Sequence, residues 1–165
     1  MPQTYTPIAT YTAPSAQSSI IFSSLGSYTD IRIILQAKGT NSTNTDLGLR
    51  FNSDTGSNYS RIGIYGDGAS AGAFIVANET SAKVGILPGT TNGKWNIMKI
   101  DLQNYSNSTT YKTLLARSDE ASALGTTASA SLWRNTNAIT SITLIPISGN
   151  IDTGSTFTLY GILKA

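Results

Sequence analysis

The sequence predicts an all-β, single-domain antiparallel β-sandwich or barrel, and three observations carry that prediction. Apolar residues recur at spacing two along most of the 165-residue chain, the period of a half-buried strand. Turn chemistry, Gly beside Asn or Asp, interrupts these runs about every 8–12 residues, the rhythm of sandwiches and barrels. No segment holds the i, i+3, i+4 pattern of an amphipathic helix. With neither a linker nor an internal repeat, the expectation is one domain of roughly ten strands. A chain of this length buries roughly 70% of its unfolded surface, enough for a core without metal or crosslink.

The elements follow in order. Residues 1–17, MPQTYTPIATYTAPSAQ, carry Pro2, Pro7 and Pro14 and no charge. Each proline keeps the residue before it extended and blocks a helix. Two readings stand for this segment: an edge strand around IATYT (8–12), or an extended N-terminal arm that docks on a neighbouring subunit. Residues 18–165 then form the sandwich. SSIIFS (18–23) is a strand, and DIRIILQAK (30–38) places Ile31, Ile33, Leu35 and Ala37 on one face. LGLRF (47–51), SRIGIY (60–65), GAFIVA (72–77) and AKVGIL (82–87) are further strands. WNIMKIDLQ (95–103) turns Met98, Ile100 and Leu102 inward and Lys99 and Asp101 outward. YKTLLAR (111–117) and ASASLWR (128–134) follow, with one helical turn expected at SDEASALG (118–125). ITSITLIPI (139–147) is apolar on both faces and reads as a central strand that ends at Pro146, which cannot donate to a ladder. The turns SDTGSN (53–58), GDGASAG (66–72), PGTTNG (88–93) and SGNIDTGS (148–155) combine Gly with Asn or Asp, which tolerate positive φ.

The closing run GSTFTLYGILKA (154–165) alternates like a strand almost to its end, where a free terminus ordinarily frays. Such an ending is explained if the last strand is paired inside a sheet and closes the sandwich. Phe157, Leu159 and Leu163 then enter the core beside Ile142, Leu144 and Ile31.

Composition excludes several classes of chemistry. There are no cysteines and no histidines, so thiolate sites, disulfides and the commonest general base and metal ligand are all missing. Eleven Lys and Arg balance nine Asp and Glu for a net charge of +2, and the basic residues make no cluster. A nucleic-acid partner is therefore not expected. No stretch approaches the ~20 apolar residues of a membrane span, and the first ten residues lack the pattern of a signal peptide.

Candidate chemistry is sparse. Asp119 and Glu120 are adjacent carboxylates, but neighbours on a strand point to opposite faces, which does not suit a glycosidase pair. FNSDTGSNYS (51–60) offers Asn52, Asp54 and Asn58 as oxygen donors, yet lacks the glutamate and spacing of an EF-hand. No G-x-S-x-G or S-x-x-K surrounds any serine, and no catalytic, cofactor-binding or metal-ligating residue is assigned. Tyr59, Tyr65, Tyr105, Tyr111, Trp95 and Trp133 form the aromatic pool from which a sugar platform could be drawn.

TPIATYT near the start, LRFNSDTGSNYS (49–60), NYSNSTTYKTLLAR (104–117), SLWRNTNAITSITLIP (131–146) and GSTFTLYGI (154–162) resemble a group of tailed-bacteriophage virion structural proteins, common in phages of aquatic bacteria such as cyanophages. The resemblance spans most of the chain, with FN-x-DTGSNY and STFTLYG its most specific parts. It implies a jelly-roll sandwich and a non-enzymatic role on the virion, and it assigns no catalytic residue. Within that family the short, shaft-free chain points to a capsid decoration (cement) protein. Such a protein sits on the exterior of the phage head, is made in the host cytoplasm, and bridges major capsid subunits through many modest interfaces. A position on a threefold of the shell makes a homotrimer the natural assembly. Strand addition by the uncharged arm suits docking on the capsid or a subunit, with Tyr5, Pro7, Ile8, Tyr11 and Pro14 as candidate interface residues. The alternative is a receptor-binding tip module of a tail fibre that recognises host surface polysaccharide. In that case a carbohydrate joins the partners, and an exposed aromatic platform is expected.

Overall fold

A computed structural model describes residues 4–120 and 125–163, and these form a jelly-roll-like β-sandwich of two antiparallel sheets. Among the described residues the strands are β1 (Tyr5–Thr12), β2 (Ile20–Phe22), β3 (Asp30–Ala37), β4 (Thr45–Phe51), β5 (Tyr59–Gly66) and β6 (Ala71–Glu79). The second half adds β7 (Ala82–Leu87), β8 (Asn96–Leu102), β9 (Lys112–Glu120), β10 (Gly125–Trp133), β11 (Ile142–Pro146) and β12 (Thr156–Ile162). The larger sheet runs β1-β12-β3-β8-β9-β10-β5-β6 and the smaller β2-β11-β4-β7. Twelve strands thus stand among the described residues where about ten were expected.

Alternation sets the faces as the sequence suggests for β3 and β8. Ile31, Ile33, Leu35 and Ala37 are buried on one side, and Met98, Ile100 and Leu102 meet them from β8. Outside the core, Arg32 is paired with Asp101 and Lys99 reaches Asp101 at 3.3 Å. β11 lies between β2 and β4, an inner position in the smaller sheet as its apolar run suggests, and Pro146 is its last residue. Only Ile142–Pro146 of the run 139–147 is strand. Ile139 is buried, but its amide donates to the Tyr105 carbonyl at 2.8 Å instead of joining a ladder.

β12 lies inside the larger sheet, between β1 and β3. Phe157 stands opposite Leu35 and Tyr11, Leu159 opposite Ile33 and Ala9, and both side chains are fully buried. Leu163 differs from expectation: it follows the strand and is only half-buried, while its amide donates to the Thr4 carbonyl at 3.1 Å. The inward position before it is Gly161, whose missing Cβ leaves room for the ring of Tyr28.

The helical turn expected at 118–125 is absent where the chain is described. Ser118, Asp119 and Glu120 continue β9 and pair with Thr127, Thr126 and Gly125 of β10, so the hairpin ladder overrides local helix propensity. The rest of that expectation, 121–124, lies outside the described residues.

Candidate functional site: an aliphatic trough on the outer face of the larger sheet

The antiparallel register brings one set of side chains to the outside of β9, β10, β5 and β6. Ala130 stands between Leu115 and Ile62, Ala128 between Arg117 and Ile64. Ile62 in turn faces Ile75, and Ile64 faces Ala73. Directly opposed residues of an antiparallel pair share a face, so these form one surface. The alanines of β10 lie low between taller isoleucine and leucine rows, which leaves a shallow trough of about 670 Å³. Lys99, Asp101 and Arg117 stand at its β8–β9 side.

β5 is inverted relative to ordinary amphipathic patterning. Its inner row is Tyr59, Arg61, Gly63 and Tyr65, and its outer row holds Ile62 and Ile64, exposed by 61% and 63%. Gly63 is obligatory inside, because a Cβ there would strike the ring of Phe74 and the carbonyl of Ala128. Arg61 is held beneath the hairpin by Glu79 at 3.0 Å and by the Phe74 ring, 4.7 Å from its guanidinium carbon. At the hairpin tip, Asp67 accepts hydrogen bonds from the amides of Ala69 (2.9 Å) and Ser70 (2.6 Å), which hold its carboxyl below the usual range. The inner contacts therefore fix the strand with its isoleucines facing out. Ile75 is 83% exposed and Leu115 54%. Fully covering a side chain of this kind is worth about 1.5–3 kcal/mol, and contiguous aliphatic surface rimmed by charge marks an interaction site.

The candidates read from the sequence fall elsewhere. Tyr5, Pro7, Ile8 and Tyr11 lie on β1, at the opposite edge of the same sheet, and Pro14 follows it. Tyr5 packs on Tyr160 at 6.2 Å between ring centroids, with the Arg32 guanidinium 5.2 Å over its own ring. Pro7 and Pro14 are exposed, while Ile8 and Tyr11 are partly buried against the chain's own core. The segment is tied down further by Ala13, whose amide donates to the Ser155 carbonyl at 2.8 Å, and by Gln17, which bridges Ile151.

The aromatic pool does not gather on one surface. Tyr59, Tyr105 and Trp133 are core residues; Tyr65 lies on the inner row of β5, Tyr111 precedes β9, and Trp95 precedes β8 with Lys38 Nζ 4.9 Å from its ring centre. The loop at 51–60 spends its oxygens internally. Asp54 accepts from Trp133 Nε1 (2.7 Å), Asn58 Nδ2 (2.9 Å) and the Gly56 amide (2.8 Å). Burial pushes its carboxyl up, but these bonds and the charge of Arg50 outweigh that and hold it below its ordinary value. Asn52 Oδ1 accepts from Thr140 and Ser141. Asp119 accepts the Ile97 amide at 2.6 Å. Among the described residues no group of three or more acidic side chains could hold a metal ion.

No protein-family model matches the chain, and no curated protein sequence matches it. Among solved structures, it is similar to exo-inulinase from Aspergillus awamori, with a TM-score of 0.50, 12% identity, and coverage of 96% of this chain and 29% of that one. It thus spans less than a third of the inulinase chain. Galectin LEC-6 of Caenorhabditis elegans aligns with a TM-score of 0.35 and 10% identity, over 94% of this chain and 96% of the galectin. Scytalido-glutamic peptidase aligns at 0.30 and 16%, over 91% and 66%. The inulinase likeness shows the β-sandwich fold alone.

Proposed function

We propose that this chain is a non-enzymatic structural protein of a tailed-phage virion, a decoration protein that seats the outer face of its larger sheet on the major capsid protein. One observation supports the reading above the others: the aliphatic trough of Ile62, Ile64, Ile75 and Leu115, held outward by an inner row that packs under the same hairpin. A trough walled by exposed aliphatic side chains, with Phe74 as the aromatic residue of its lining, suits a protein surface better than a sugar, which is recognised by stacking and by a fan of polar donors. Its breadth and openness suit a broad, repeated contact rather than a small substrate. The sequence resemblance supports the virion reading, and the trough supports attachment through this face.

Co-sedimentation with phage heads stripped of the protein, and separately with intact host cells, tests the reading. Saturable binding to heads at a fixed ratio to the major capsid protein is expected, with loss of binding in Ile62→Lys/Leu115→Lys. Binding to cells alone, competed by their polysaccharide, overturns it in favour of a fibre-tip module.

A further inference from the structure

The larger sheet ends in two edges, and only one is guarded. At β1, Pro7 removes a backbone donor and the register slips between Pro7 and Ala9, two devices that keep foreign strands off an edge. The smaller sheet has a three-residue edge in β2, and its β7 edge carries Lys83, engaged by Asp46 at 3.0 Å. Over Ala71–Val76, β6 has none of these. From Ala71 to Ala77 it reads AGAFIVA, without proline or charge, and its ladder to β5 is unbroken from Gly66–Ala71 to Arg61–Val76. Its register shift comes after Val76, where Ala77 and Asn78 together stand opposite Ser60 and Asn78 takes φ +59°. An edge of this kind offers unpaired amides and carbonyls to another strand.

The side chains of β6 say which strand fits. Ala73-Phe74-Ile75-Val76-Ala77 is a palindrome of size about Ile75. We propose that β6 is a self-pairing edge, to which a second copy of this chain adds its own β6 antiparallel across a two-fold axis at Ile75. In that register Ile75 meets its own symmetry mate, Phe74 meets the partner's Val76, and Ala73 meets the partner's Ala77. Large side chains thereby face large ones and small face small on both sides of the sheet, the arrangement that stabilises cross-strand pairs. Charge is compatible as well. Residues 71–78 are uncharged, so two copies approach without repulsion, and Glu79 is occupied by Arg61 and Lys83 of its own chain. Ile75, on the axis, is the most exposed large apolar side chain among the described residues.

The pairing joins two larger sheets into one and sets their troughs side by side. It is isologous, hence a dimer; a threefold ring needs β6 to meet a different edge of the next copy, and β1 is blocked by Pro7. The inference stands independently of the head-decoration reading, because it concerns the protein alone in solution.

Single-cysteine variants test it cleanly, since the chain has no cysteine of its own. A two-fold at Ile75 sets the two Cα atoms of Ile75→Cys about 4.5–5.5 Å apart, within disulfide reach. The two copies of Ala73→Cys are then offset by four residues, about 13 Å along the strands. The expected result is a dimer mass by sedimentation, disulfide crosslinking of Ile75→Cys under mild oxidant, and none for Ala73→Cys alone. Mixing Ala73→Cys with Ala77→Cys restores a crosslink, and Ile75→Lys shifts the mass to monomer with the circular dichroism of the wild type unchanged. A monomer at all concentrations, or a dimer in which Ile75→Cys crosslinks no better than Ala73→Cys, overturns the proposal.

Discussion

Trp133 donates its indole Nε1–H to Asp54 Oδ2 at 2.7 Å, which ties the loop between β4 and β5 to the last residue of β10. Trp133 is buried, and its ring lies 5.4 Å from Phe51 and 6.4 Å from Tyr59, so the bond orients an aromatic cluster that closes one end of the core. Asp54→Ala removes the acceptor of a buried donor along with the caps on Gly56 and Asn58. It is expected to cost about 1.5–3 kcal/mol, read as a lower urea midpoint at an unchanged m value.

The same carboxylate makes stability depend on acid. Its folded pKa is lowered from the ordinary carboxylate value of 3.8, so its contribution is fully present above that value and disappears as pH falls through the folded one. Urea midpoints of wild type and Asp54→Asn are therefore expected to differ at neutral pH and to converge as the pH drops below 3.8. A constant difference down to the lowest pH contradicts this role for Asp54.

At the other end of the scale stands Tyr59, whose hydroxyl oxygen accepts the Phe51 amide at 2.9 Å. Burial pushes its phenol from 10.0 up to about 12. A raised pKa means stability that is intact below the unfolded value and is lost as pH rises through the folded one. The protein is thus expected to weaken between pH 10 and about 12, with Tyr59→Phe showing a shallower decline. That variant starts lower by about 1–3 kcal/mol because the Phe51 amide loses its acceptor. Thermal melts across that pH range read both effects.

The ending of the chain is structural. Deleting residues 155–165 removes β12 from between β1 and β3 and is expected to abolish soluble folding. Phe157→Ala is expected to cost about 3–5 kcal/mol. Gly161→Ala brings a methyl group into the Tyr28 ring and is expected to cost about 1–3 kcal/mol. A soluble truncation with native circular dichroism refutes this account of the terminus.

How much of this is legible in the sequence differs between fold and site. Strand positions follow from period-two alternation and from Gly-Asn and Gly-Asp turns, and the inward rows of β3 and β8 can be named directly because one face of each is polar. Alternation does not say which face a second sheet will cover. In SRIGIY it pairs Ile62 and Ile64 against Arg61, Gly63 and Tyr65, and the polar-looking row turns inward because Tyr59, one step earlier on it, is anchored in the core beside Trp133. The trough also needs Ala128 and Ala130, some sixty residues away in sequence, and their partnership exists only in the register of β10 with β5. Prolines, by contrast, are conspicuous in a sequence. They mark Tyr5, Pro7, Ile8, Tyr11 and Pro14 as a candidate interface segment, and Pro7 lies on an edge strand, where proline guards the edge as readily as it shapes an arm.

The most direct test of the central claim is the density of a phage head decorated with this protein, at a resolution that orients the sandwich. The account predicts the outer face of β9, β10, β5 and β6 against the capsid surface, with Ile62, Ile64 and Leu115 at the contact. A sandwich attached through its smaller sheet, with that trough open to solvent, contradicts it.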